Sequence, residues 1–274
     1  VSRLSIGSWL TFGSSVDAGL TERCVRTALD GGVNVIDTAD IYVRGGAESA
    51  LGTFLPKLTR HTFVLATKLF WPMSDDPNDK GLSRKHVFES IDASLARLGT
   101  DYVDLYQCHR YDDETPLDET VRAMGDLIRM GKVLYWGVSC WSAQQIVAAC
   151  RTADLLGVPR PISNQPPYNL LTRGIECDVI PTSRSEGLSQ IVFSPLAQGA
   201  LTGKYSGGQR PEGSRAADTQ RNMFMERMLE PENLRRIDGM VAIAAELGTT
   251  PARLALVWCL RDDNVASVIF GATR

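Results

Sequence analysis

Four polar residues stand where apolar, β-branched runs break off: Asp37 and Tyr42, five positions apart, then Lys68, then His109. Each type brings its own chemistry. A tyrosine can protonate a developing alkoxide, but its ordinary pKa of about 10 makes it a weak donor without help. A protonated Lys68 about 4 Å away, at an effective dielectric of about 20, favours the phenolate by about 4 kcal/mol, or up to about 3 pKa units before opposing effects. Asp37 would keep that lysine charged and so oppose part of the shift, while His109 would hydrogen-bond and align a substrate carbonyl. A strand-end lysine can also form a Schiff base. Reduction of a carbonyl and Schiff-base chemistry therefore both stay open on the residues alone. Singly, each residue has an ordinary structural use as a cap, a rim aromatic or a solvated tip.

The elements that must position them repeat about every thirty residues, the size of a βαβ unit. Apolar runs at 4–7, 34–38, 63–67, 103–108, 133–138, 162–164, 191–194 and 265–270 read as eight strands. Helical patterns lie between them, at 22–29, 48–55, 84–98, 117–130, 143–156 and 175–185, with two more at 232–247 and 251–260. Thr21, Ser83 and Ser142 stand at cap positions, and Gly31, Gly99, Gly131 and Gly157 at stops. No G-x-G-x-x-G follows the first strand, which disfavours a doubly wound open sheet. The expected fold is a single α/β domain, a (β/α)8 TIM barrel over 1–274, whose chemistry sits at the C-terminal ends of its strands. Residues 197–231, rich in glycine, are expected to form a long functional loop.

Composition removes several classes. The 274 residues are 43% hydrophobic and 22% charged, with a net charge of −3 and no concentration of basic residues, so nucleic acid is not an expected partner. No uncharged apolar run approaches the roughly 18 residues of a membrane span, so no membrane insertion is expected and a cytoplasmic location is. The six cysteines, Cys24, Cys108, Cys140, Cys150, Cys177 and Cys259, form no CxxC pair and suit reduced, mostly buried thiols. His61 and His86 read as surface positions, and the histidines lack ligand spacing, so no metal is expected.

Asp37, Tyr42, Lys68 and His109 match, residue by residue, the motif of the aldo-keto reductases, which this chain resembles over nearly its whole length. The likeness runs through Ile36-Asp37-Thr38-Ala39, Gly131-Lys132-Val133, Gly137-Val138-Ser139 and Phe193-Ser194-Pro195-Leu196-Ala197-Gln198-Gly199. Trp9-Leu10-Thr11-Phe12-Gly13, His109-Arg110 and Gln165-Pro166-Pro167-Tyr168-Asn169 look like the branch holding voltage-gated potassium channel β subunits and bacterial glyceraldehyde-3-phosphate reductases. The resemblance implies reduction of an aldehyde or ketone to an alcohol, with Tyr42 as general acid. The alternative is a cofactor-binding potassium channel regulatory subunit with little turnover. Animal channel subunits resemble Asn at the position of His109, which favours an enzyme here.

The resemblance also implies NADPH. Phe193 would stack on the nicotinamide, and Ser139, Asn164 and Gln165 would meet its carboxamide. Ser8, Trp9, Asp37, Ser194, Pro195, Leu196, Gln198, Gly199, Gly271 and Thr273 complete the expected cofactor contacts. Lys204, Ser214 and Arg215 are similar to the contacts made with the adenosine 2′-phosphate, and an Arg fork with a Lys charge suits that dianion, so NADPH is preferred to NADH. Cys140 departs from the Arg of channel subunits. Trp9, Tyr42, Trp71, His109 and Trp141 are the expected substrate pocket, with Tyr111 beside them, and Arg110 suggests a phosphorylated aldehyde. A homotetramer is the expectation by analogy. The family's leading hairpin, terminal helix and remaining adenosine contacts find no match within the 274 residues, so the chain is expected to lack residues at both natural ends.

Overall fold

Eight parallel strands close into one barrel in sequence order, each hydrogen-bonded to the next and the last to the first, in a computed structural model that describes residues 1–14, 16–218 and 225–272. The strands are β1 (Leu4–Gly7), β2 (Val35–Asp37), β3 (Val64–Leu69), β4 (Val103–Cys108), β5 (Val133–Val138), β6 (Ser163–Asn164), β7 (Ser189–Val192) and β8 (Val265–Gly271). Around them run α1 (Ala18–Asp30), α2 (Gly46–Gly52), α3 (Arg84–Leu98), α4 (Leu117–Arg129), α5 (Ala143–Leu156) and α6 (Val179–Glu186). The one-turn α7 (Met225–Met228) precedes α8 (Pro231–Glu246) and α9 (Pro251–Cys259). This is the expected (β/α)8 barrel.

Local chemistry explains most boundaries. In α5, Ser142 and Gln145 form a reciprocal capping box, and Gly157 stops the helix in the left-handed region at φ 63°. Ser83 caps α3, whose stop is Gly99 at φ 66°. The first helix starts earlier than its pattern suggests, because Asp17 and not Thr21 supplies the cap, accepting from the Leu20 amide. The seventh strand ends at Val192, two residues short of the expected 194, since Ser194 turns left-handed at φ 56°. The 197–231 segment carries 3-10 turns at Ala197–Thr202 and Ser206–Gly208 besides α7, and Pro231 already belongs to α8. Among the described residues, no single helix is long and apolar enough to cross a membrane.

The apolar core lies between barrel and helices, with Tyr106, Leu127, Val133, Trp136 and Ile146 all fully buried. The barrel's interior is more polar. Asn164 Nδ2 donates to Gln190 Oε1 at 3.2 Å, Gln190 Nε2 to Asn264 Oδ1 at 3.0 Å, and Asn264 Nδ2 to the Leu188 carbonyl at 2.8 Å. The amides of Asn164, Gln190 and Asn264 tolerate this setting because each finds a partner. Higher up, Gln165 Nε2 donates to Gln107 Oε1 at 3.4 Å and to Asp37 Oδ1 at 2.9 Å. The polar interior thus leads to the strand ends where the candidate residues stand. His86 corrects its surface reading: it is buried, with Nδ1 3.7 Å from Asp79, because the loop before α3 folds over that helix's first turn.

Candidate active site

Asp37 is the last residue of β2, Lys68 is the penultimate residue of β3, and His109 directly follows β4, so three neighbouring strands aim them at one point. Tyr42 arrives from the loop after β2. The Lys68 ammonium is the hub: it donates to Asp37 Oδ2 at 2.7 Å, to the Thr38 carbonyl at 2.7 Å and to the Tyr42 hydroxyl at 3.2 Å. The lysine side chain has no exposed surface. Tyr42 and His109 stand edge to face, ring centroids 5.8 Å apart, and Trp71 stands edge to face with His109 at 6.3 Å. The four expected catalytic residues therefore come together at one end of the barrel.

Burial and charge then set the protonation states. Burial pulls Lys68 down, but Asp37 and Tyr42 outweigh it, and the net shift is upward, so the amine stays charged. A charged amine that already donates three hydrogen bonds is a poor Schiff-base nucleophile. Tyr42 departs from the expectation of a lowered pKa: burial raises it, Lys68 lowers it and Asp37 raises it again, for a net rise. The lysine's attraction is real, but the dry setting penalises a phenolate more. His109 is pushed well below the usual imidazole range by burial, then by Lys68 and Arg110, and is neutral at physiological pH. Its Nδ1 is buried without a hydrogen-bond partner among the described residues.

Several supporting residues escape a reading of spacing. Gln165, expected at the cofactor, also braces Asp37 from 128 positions away. Thr38 holds Lys68 through its carbonyl and takes the Ser8 hydroxyl on its own at 2.9 Å. Arg110 donates to the His109 carbonyl, lies 3.5 Å from Ser139 Oγ, and places its guanidinium 5.5 Å from the Trp71 ring centre. The sequence did carry one signal for these partners: they are polar residues standing just past the ends of apolar strands β2, β4 and β6.

The expected pocket and cofactor residues divide. Trp9 and Trp71 keep more than a third of their surface exposed, whereas Trp141 is buried edge-on against Tyr111, ring centres 4.8 Å apart. Ser139 donates to the Gln165 carbonyl at 2.8 Å, and Asn164 is fully buried with its oxygen on the Trp141 amide at 3.3 Å. Phe193 is half-buried, bridging Pro167 just past β7, and leads through Pro195 and Leu196 into the following turn. Gly271 ends β8 opposite Gly7, while Thr273 lies outside the described residues.

Ser194 is left-handed, and after Pro195 and Leu196 so are Ala197, Gln198 and Gly199 in succession, at φ 45°, 60° and 97°. Gln198 donates to Ser194 Oγ at 2.8 Å and accepts from Arg215. A Cβ on Gly199 would sit 3.2 Å from Lys204 Nζ, so this glycine lets the ammonium close in. Two cations thus converge on the Gln198-Gly199 turn, and on the same segment the Ser214 hydroxyl is buried without a partner among the described residues. An orphan hydroxyl beside a fork and a point charge fits a phosphate.

The family model described as "Aldo/keto reductase family" matches residues 3–274. The chain is 46% identical over 277 residues to a protein of Arabidopsis thaliana named "Probable voltage-gated potassium channel subunit beta", covering all of this chain and 84% of that protein. A protein of the same name from Oryza sativa subsp. japonica is 45% identical at the same coverage. One from Schizosaccharomyces pombe, named "Putative voltage-gated potassium channel subunit beta", is 41% identical over 282 residues, with all of this chain and 81% of that protein covered.

Proposed function

Since the chain belongs to the aldo/keto reductase family, we propose that it reduces an aldehyde or ketone to an alcohol with NADPH, Tyr42 giving the proton. The observation that carries this reading is the Tyr42 hydroxyl held 3.2 Å from a buried, charged Lys68 that Asp37 fixes from the other side. A bound dihydronicotinamide supplies the hydride. The carbonyl carbon gains that hydride and its oxygen gains the Tyr42 proton, leaving a phenolate beside the Lys68 ammonium. The upward shift of Tyr42 keeps its proton in place before reaction, and the ammonium stabilises the phenolate afterwards. Neutral His109 offers an N–H to the carbonyl oxygen, and Trp71 beside it helps exclude water. Phe193, Ser139 and Gln165 would hold the nicotinamide end, with Lys204, Ser214 and Arg215 at the 2′-phosphate.

A second reading, a cofactor-binding subunit of a potassium channel with little turnover, is favoured by the names of the three relatives. Oxidation of NADPH against a panel of small aldehydes, with NADH in parallel, separates the two. Aldehyde-dependent oxidation, faster with NADPH and abolished by Tyr42→Phe, supports the reductase. Tight NADPH binding without turnover across the panel supports the subunit, and full turnover by Tyr42→Phe removes Tyr42 as the acid.

A further inference from the structure

On the outer side of β3, opposite Lys68, two carboxylates are buried with a single cation. Asp40 and Glu48 have no exposed surface. Glu48 accepts from the Thr67 hydroxyl at 2.5 Å and from Arg97 Nε at 2.7 Å, and Arg97 turns another nitrogen to Ser94 Oγ at 3.2 Å. Asp40 forms no ion pair of its own among the described residues. Its oxygens take the Ile41 amide at 2.6 Å and the Ser90 hydroxyl at 3.2 Å. The groups that face it are Glu48 from α2, Ser90 and Arg97 from α3, and Tyr106 from β4, whose hydroxyl is buried without a hydrogen-bond partner among the described residues. Two anions against one guanidinium in a dry site are unfavourable, and retaining one proton relieves them.

We propose that Asp40, buried without a cation of its own, keeps a proton that holds the Tyr42 turn in register with Lys68, making Asp40 a positioning residue for the reductase reaction on which this inference rests. The coupling runs through the backbone. The Asp40 amide donates to the Lys68 carbonyl at 3.1 Å, and the Asp40 carbonyl takes the Gly45 amide at 2.6 Å. Between them, Tyr42 is pinned by its amide to the Ala39 carbonyl and by its carbonyl to the Ala47 amide, both at 3.2 Å. Val43, Arg44 and Gly45 are all left-handed, at φ 55°, 47° and 85°, so the turn has little freedom to adjust. Arg97 also packs on it: a Cβ on Gly45 would lie 2.7 Å from Arg97 Cδ. Burial first, and Glu48 next, push the Asp40 carboxyl up to about 7. Above that value a second buried anion forms beside Glu48, and the turn carrying Tyr42 must shift to let water or Arg97 reach it.

The test follows Tyr42 directly. In protein labelled with 13C-tyrosine, the Tyr42 ring signal is identified by its absence in Tyr42→Phe, then followed through neutral pH alongside kcat/KM for an aldehyde. We expect the signal and the rate to change together across neutrality in the wild type, the rate falling severalfold on the alkaline side. In Asp40→Asn, an isostere of the protonated acid, both should be flat over that range. A wild-type Tyr42 signal that does not move overturns the inference, whether or not Asp40→Asn folds. So does a signal that still moves in Asp40→Asn. A moving signal that Asp40→Asn abolishes, with no aldehyde turned over at any pH, upholds the Asp40 proton and removes the reductase reading instead.

Discussion

Gln165 Nε2 lies 2.9 Å from Asp37 Oδ1, and Lys68 holds the other oxygen of the same carboxylate at 2.7 Å. The aspartate is thus clamped between a neutral donor from the loop after β6 and a cation from β3. Orientation of the Lys68 ammonium toward Tyr42 depends on both.

Gln165→Met removes one arm of the clamp at nearly constant volume. Leaving Asp37 Oδ1 buried without a donor is expected to destabilise the fold by about 1–3 kcal/mol, read by denaturant unfolding. Turnover should fall by about tenfold or more, the equivalent of about 1.4 kcal/mol in the barrier. Gln165→Glu should be worse, because it sets a second carboxylate against Asp37.

His109 gives a pH prediction with a definite sign. Its folded-state pKa is depressed, by burial before the nearby cations, so the unfolded chain binds the proton more readily. Its contribution to stability is therefore complete above the ordinary imidazole value of about 6.5 and is lost as pH falls below it. The stability difference between wild type and His109→Gln should shift against the wild type on acidification. The kcat/KM profile of His109→Gln should be lower than that of the wild type yet keep the same inflections near neutrality, because the imidazole does not titrate there.

Two glycine-to-alanine changes should act in opposite directions. A Cβ at Gly52, the last residue of α2, would fall 2.0 Å from the Arg97 carbonyl oxygen, so α2 and α3 must separate. Gly52→Ala is expected to lose about 1–3 kcal/mol. Gly239 lies inside α8 with nothing within 4 Å of its missing Cβ, and Gly239→Ala should gain about 0.5–1 kcal/mol. Thermal unfolding of the two variants side by side checks both signs.

The barrel and the tetrad were legible because both are local signals repeated along the chain. An apolar run breaking off at Asp37, Lys68 or His109 marks a strand end, and eight such runs at one spacing close a barrel. The supporting cast was not legible, because its pairs join residues far apart in sequence. Glu48 meets Arg97 across 49 positions, and Gln165 meets Asp37 across 128. His86 was misread for a related reason: its burial comes from a loop laid over the helix, which the helix's own periodicity does not encode. The direction of the Tyr42 shift depended on how dry the site is, a property of the packed barrel.

The division of the barrel into sectors has an evolutionary consequence. All four tetrad residues lie between positions 37 and 109, on the exits of β2 to β4, whereas the cations that converge on Gln198-Gly199 belong to the segment after β7. On the proposed function, one change at Tyr42 or His109 in a descendant of this scaffold would silence the chemistry and leave the cations at Gln198-Gly199 untouched, turning a converter of small molecules into a reporter of the reducing power around it.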